Sequence, residues 1–396
     1  MSNHTLEDLC ALIVDCKNRT PPEAPHGKGV AFAIGTPNII DGRIRLQGAK
    51  PVTQETFETW TARAVPRVDD IVLTREAPVG RVGRVEEGME VCLGQRTMLL
   101  RADSSVADAR FLHYLLLGDV VQSTLHSHAS GSTVPHLRVA QVRSLPIPAI
   151  PALGAQRAIG AVLGALDDKI AINERVAATA DRLADSIFEQ RTRGLRLAPM
   201  SAFMSPVLGG TPDRKVGSYW GPGVPWASAK DVASAKAGVV ADTEEEITEE
   251  AAASTRAKPL PKQSVILTAR GTVGAVARVM RPTAINQSCY AFPPGEISSA
   301  VLFHLVRAGS ERMLSVAHGT VFSTVNMKTF DHVVIPAVEA ELRSALEEVL
   351  SPLHRQIEAR IEESGTLAAL RDTLLPQLMA GKLRVRDAER IVEDAL

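Results

Sequence analysis

Two short stretches gather the residue types that could do covalent chemistry. "HSHASGSTVPH" (126–136) places Ser132 between His128 and His136, the hydroxyl-plus-imidazole set of a nucleophile and its base. The related stretch "HGTVFSTVN" (318–326) keeps a glycine and a hydroxyl without those histidines, and no G-x-S-x-G elbow occurs. "TPDRK" (211–215) offers Asp213 ahead of Lys215 as a nuclease would, but without companion carboxylates at metal-ligand spacing. The chain has no G-x-x-x-x-G-K-[ST] phosphate loop, no Asn-Pro-Pro-aromatic tetrad for an adenine amino group, and no Gly-rich cofactor loop after a strand. Cys10, Cys16, Cys92 and Cys289 lack metal-like pairing and read as reduced thiols of a cytoplasmic protein. The expectation is a chain with no catalytic residue, metal or cofactor of its own. The 126–136 stretch then reads as a structured turn, with a hydrolase as the rival reading.

Beyond these residues the chain repeats itself. "DIVLTREAPVGRVGRV" (70–85) and "SVILTARGTVGAVARV" (264–279) share Leu73/Leu267, Thr74/Thr268, Val79/Val273, Gly80/Gly274, Val82/Val276, Arg84/Arg278 and Val85/Val279 at a fixed offset of 194. Gln95 and Gln287 follow at an offset of 192, and Gly131/Gly319 and Pro148/Pro336 close each copy. A unit just under 200 residues long is duplicated, too long for a solenoid repeat.

Each copy opens on β-branched runs, "DIVLT" and "SVILT", then a glycine turn and an alternating strand with Val79, Val82 and Val85 inward and Arg81 and Arg84 outward. "FLHYLLLGDVV" (111–121) and "LFHLVRA" (302–308) read as short helices, and the prolines of "SLPIP" and "VVIP" end strands. A long helical stretch follows each copy. In the first, Ile159, Leu163, Leu166, Ile170, Ala177, Ala180, Ala184 and Ile187 make one apolar stripe with Asn173 on its seam. In the second, Leu346, Leu350, Leu353, Ile357, Ile361, Leu367, Leu370, Leu374 and Leu378 do so, interrupted by Gly365. About 40 residues at ~1.5 Å each give rods of roughly 60 Å, and each stripe finds its simplest partner in the other. The fold class is therefore α+β: two similar mixed domains separated by two long helices in an intramolecular antiparallel coiled coil. The boundaries are 1–150, 151–195 (helix), 196–338 and 339–396 (helix).

The composition is globular: 396 residues, 45% hydrophobic and 22% charged. No run of apolar residues is long enough to span a bilayer, and "MSNHTLEDLC" has no signal-peptide core. A net charge of -1 is unusual for a protein that would bind nucleic acid by neutralising phosphates.

The segments "GSTVPHLRVAQVRSLPIPAIPALGAQRAIGAVLGALDDKIAINERV", "GGTPDRKVGSYWGPGVPWASAKDV" (209–232) and "LRDTLLPQLMAGKLRV" resemble the specificity subunit of type I restriction-modification systems. The resemblance spans essentially the whole chain, although "GKGVAFAIGTPNIIDGRI" (27–44) replaces the Trp-containing opening and little aligns before residue 30. It implies that each target recognition domain reads one half of a bipartite, asymmetric double-stranded DNA site in the major groove. It also implies that the helices set the spacer and dock two methyltransferase subunits, which carry S-adenosylmethionine, with restriction/translocase subunits joining them. In that frame partner subunits supply much of the basic clamp. A duplicated protein–protein scaffold without DNA binding is the alternative.

Shared residues then belong to the framework and differing ones to readout. Gln95 and Gln287 read as scaffold, and Arg84 and Arg278 as phosphate contacts or surface salt bridges. Arg75, Glu76 and Arg81 stand opposite Ala269, Arg270 and Ala275, and His136 and Arg138 opposite Thr324 and Asn326. Lys230 follows "PWASA" where the family presents a loop residue. The DNA-binding set is Arg75, Arg81, Arg84, His136, Arg138, Lys230, Arg270, Arg278, Asn326 and Lys328. The acidic run "DTEEEITEE" (242–250) reads as a solvated helix or loop.

Overall fold

The β-branched runs that open each copy become the central strands of two sheets, because residues buried on both faces must be apolar at every position. In the computed structural model, residues 4–129, 135–317 and 325–396 are described, the side chains of 315–317 excepted. Tertiary contacts gather the chain into two units, Met1–Asp168 with Leu367–Leu396 and Lys169–Thr366. Each holds one head and the adjoining lengths of both long helices.

In the first unit a six-stranded sheet runs in the order Cys10–Asp15, Thr97–Ala102, Ile71–Arg75, Val79–Arg84, Arg43–Ile44, Ile39–Ile40. A three-stranded sheet places Ala31–Ile34 between Lys50–Val52 and Val91–Leu93. The second unit repeats this plan. Val207–Leu208, Cys289–Phe292, Val265–Thr268, Val276–Val279 and Val239–Val240 form one sheet, and Trp220–Ala227 lies between Glu245–Ile247 and Ala284–Ile285 in the other. Equivalent registers follow: Thr97 opposite Thr74 in one sheet, Cys289 opposite Thr268 in the other. The proline-ended segments pair back to the start of each head, Pro146–Ile147 on His4–Thr5 and Val334–Pro336 on Leu197–Pro199.

The long helices run Leu153–Thr192 and Ala340–Met379, the second continuing unbroken through Gly365. In the second unit Ala177 and Ala180 pack with Ile357, while Ala184 and Phe188 pack with Leu346 and Leu350. Rising numbers on one helix meet falling numbers on the other, so the pair is antiparallel. The small alanines let Val239 of the head reach the same cluster. Phe188, not Ile187, fills the seam at that end. Asn173 is buried on the seam with Nδ2 unpartnered among the described residues.

Polar ties fix each head to its helices. Tyr114, on the helix Ala109–Leu117, donates to Asp167 at 2.5 Å, and Asp167 also pairs with Arg371 at 2.7 Å. Arg84 bonds Asp69 at 2.5 Å and lies 3.9 Å from Asp168. In the second unit Arg278 bonds Glu358 at 2.5 Å with 2% of its side chain exposed. Burial lowers the Arg278 pKa against the opposing pull of Glu358. His304, on the helix Ser299–Ala317, lies 2.9 Å by Nδ1 from Asp185 and 2.9 Å by Nε2 from His354 Nε2. With Nδ1–H donated to the carboxylate, His304 Nε2 must accept and His354 must donate; both rings are neutral in this arrangement. Burial pushes both histidines down.

Two expectations follow. Glu358→Ala strands the buried Arg278 charge and is expected to cost about 3–5 kcal/mol, whereas adding Arg278→Met should recover most of it; urea unfolding of the three variants measures both. His113 is buried, and burial lowers it from 6.5 to about 4, with Asp167 opposing and Arg84, Arg371 and Arg110 assisting. The unfolded chain therefore takes up this proton first, so stability falls as pH drops from about 6.5 towards 4. Unfolding midpoints at pH 7.5 and 5 should differ, and less so in His113→Phe.

Candidate nucleic-acid interface

The residues shared between the copies build one frame twice. Thr74 is buried at the end of its strand; its hydroxyl donates to the Pro78 carbonyl at 2.7 Å and accepts from the Arg81 N–H at 2.9 Å. Thr268 donates to the Thr272 carbonyl and accepts from the Ala275 N–H at 2.9 Å. Gly80 and Gly274 close the two turns at φ +88 and +92, where a Cβ would run into Gln122 or into Ser310 and Leu314. The helix behind then holds the glycine carbonyl: Gln122 donates to Gly80 at 2.9 Å and Ser310 to Gly274 at 2.7 Å.

Further segments converge on the same end of each sheet. Thr20 donates to Gln95 at 3.0 Å, and Thr211 donates to Gln287. The Leu137 N–H reaches the Arg75 carbonyl at 2.9 Å, and the Val325 N–H reaches that of Ala269 at 3.4 Å. Arg75 N–H donates to the Arg96 carbonyl at 2.8 Å, and Ala269 N–H to that of Ser288 at 2.7 Å. Gly94 N–H binds the Ile34 carbonyl where Asn286 N–H binds that of Ala227. Each unit thus carries a loop cluster held by matching hydrogen bonds.

What the frames present differs. The first unit exposes Arg81, Arg138 and Arg96; the second exposes Arg270, Asn326, Lys328 and Lys230. Arg138 and Asn326 stand at matching places, the N–H of each donating to the side chain three residues on, Gln141 at 2.8 Å and Thr329 at 3.0 Å, while Lys328 directly precedes the helix Thr329–His332. Arg81 also donates to the Thr36 and Ile39 carbonyls, at 3.2 and 3.3 Å. The Asn326 carbonyl group accepts from the Lys328 N–H at 3.0 Å, so its side chain shapes its own turn. His136 is half-buried, its backbone bridged to Glu76.

Several expectations change. Arg278 is not placed to meet DNA: it is buried and its charge faces Glu358. Arg84 is not outward either, being 14% exposed and tied to Asp69 and Asp168. Arg75 is an internal brace, bonded to Asp15 at 2.8 Å and to the Leu137 carbonyl at 3.2 Å. The acidic run forms the strand Glu245–Ile247 and the helix Glu249–Ser254, capped by Thr248. Its carboxylates neutralise cations: Glu244 pairs with Lys230, Glu245 with Arg214, and Asp242 with Arg281. Arg214 also stacks on Trp220 with its guanidinium 3.6 Å from the ring centre. The "TPDRK" stretch is therefore an exposed turn whose arginine lies against Trp220 and Glu245.

Ser132 and Thr324 lie outside the described residues. Burial pushes the thiols of Cys10 and Cys289 up to about 12 and that of Cys92 to about 11, so they are protonated near neutrality. Among the described residues no cluster of three His, Cys, Asp or Glu side chains could hold a metal, and no helix is long and apolar enough to cross a membrane. Sequence comparison misses the Thr20–Gln95 contact, although "TP" at 20–21 and 211–212 signals it.

Residues 3–180 and 207–364 match the family model for the type I restriction modification DNA specificity domain. The MjaIX specificity subunit of Methanocaldococcus jannaschii is 29% identical over 162 residues, 40% of this chain and 38% of that protein. The chain therefore spans well under half the length of that relative. The S subunit of M. genitalium shares the fold at 15% identity, a TM-score of 0.54 and 96% coverage of both chains. The HsdS subunit of Thermoanaerobacter tengcongensis aligns at 17% identity and a TM-score of 0.35, with 96% of each chain covered.

Thr268→Val should lower the unfolding free energy read by urea titration by about 1 kcal/mol, because it leaves the Thr272 carbonyl and the Ala275 N–H of the turn without the hydroxyl between them. Thr74→Val should do the same.

Proposed function

Because the chain belongs to the type I restriction-modification DNA specificity family, we propose that it is the sequence-reading subunit of a methylating and cleaving complex and has no catalysis of its own. It reads a bipartite, asymmetric double-stranded DNA site, one half per unit, and docks two methyltransferase subunits through its long helices. Those subunits carry S-adenosylmethionine, restriction/translocase subunits complete the assembly, and the complex works in the cytoplasm.

The observation that carries this reading is a repeated frame with unlike tips. Two units with the same threonine, glycine and glutamine bonds present Arg81, Arg138 and Arg96 in one case and Arg270, Asn326, Lys328 and Lys230 in the other. Arg, Lys and Asn are the side chains that bind base edges and phosphates. A net charge of -1 fits a subunit whose partners supply part of the phosphate clamp.

Adenine methylation mapped by long-read sequencing, in cells expressing the neighbouring methyltransferase subunit with and without this chain, tests the reading. A motif of two unlike halves around a fixed gap, present only with this chain, is expected. No new methylation, with a folded methyltransferase bound to the chain, would instead support the protein–protein scaffold.

A further inference from the structure

The turn between Val91–Leu93 and Thr97–Ala102 carries a residue that the repeat does not share. Arg96 stands where the second unit has Ser288, since the carbonyl of each accepts from the first residue of the neighbouring turn. Arg96 has φ +67, a left-handed conformation that glycine adopts freely and a side chain resists. Ser288 is not among the left-handed residues. An arginine thus occupies a turn for which its backbone is poorly suited, so the reason for its presence lies in its side chain.

That side chain is aimed. Its exposure is 49%, and Glu76 faces Nε at 3.4 Å. Among the described residues no hydrogen bond engages the terminal nitrogens of Arg96. Glu76 itself sits on a braced platform: its backbone bridges His136, and the adjacent Arg75 is fixed by Asp15 and the Leu137 carbonyl. A guanidinium with a carboxylate beside its Nε edge leaves its two terminal donors as a fork, the geometry that pairs with O6 and N7 of guanine.

We propose that Arg96, oriented by Glu76, reads a guanine in the half-site facing the first unit; this rests on the DNA-reading function proposed above. Two variants of the full chain test it within the methyltransferase complex. Arg96→Gly keeps the turn conformation without steric cost and deletes the fork; Arg96→Lys keeps the charge and loses the fork. In long-read methylation maps both should make one guanine position degenerate in one half of the motif, with preference falling roughly tenfold to a hundredfold. The other half and the gap should stay unchanged. An unchanged motif in Arg96→Gly would overturn the assignment. So would a uniform loss of methylation with the motif intact, the mark of a phosphate contact or a structural role, or full retention of the guanine by Arg96→Lys. Absence of any bipartite motif with the unaltered chain would overturn the DNA-reading function itself.

Discussion

The structure depends on two apolar stripes that neither long helix can bury alone. Ala177, Ala180 and Ala184 on one, and Leu346, Leu350 and Ile357 on the other, remove each other from water and also receive the head of the second unit. Burial of this kind is non-directional. Direction comes from polar ties: Arg278 on Glu358, Arg84 beside Asp168, Tyr114 and Arg371 on Asp167, and the Asp185–His304–His354 chain. Each tie joins a head to a helix, or one helix to the other, at a defined register. Displacing it would strand a buried polar group.

Much of this architecture is legible in the sequence because repetition and period are both local signals. The 194-residue offset reveals the duplicated head, and the three-and-four spacing from Ile159 to Ala184 reveals the seam. Side-chain destinations are harder to read. Arg84 and Arg278 alternate with inward valines, which in a sheet with one wet face would turn them to solvent; here a helix covers that face and supplies the carboxylate. The acidic run is mostly exposed or half-buried and holds the helix Glu249–Ser254, in line with its sequence; what the sequence leaves out is that Glu244, Glu245 and Asp242 meet cations from elsewhere in the chain. No local pattern encodes a partner dozens of residues away.

The candidate site divides along the same line. The shared residues Thr74/Thr268 and Gln95/Gln287 make matching hydrogen bonds within each unit. Which differing residues stay exposed depends on packing. Arg75 differs between the copies and yet is a brace, while Arg96, an ordinary surface cation by sequence, is the one set in a left-handed turn against a carboxylate.

The hydroxyl of Thr74 or Thr268 binds only backbone atoms of its turn. The bonds made by the threonine hydroxyl therefore do not depend on the side chains carried at Glu76 or Arg270. Residues such as Glu76 and Arg270 can be exchanged without disturbing the bonds that hold the loop. Replacement at these tip positions is thus uncoupled from the hydroxyl bonds that hold the turn, and the surface of the head can vary on an unaltered support.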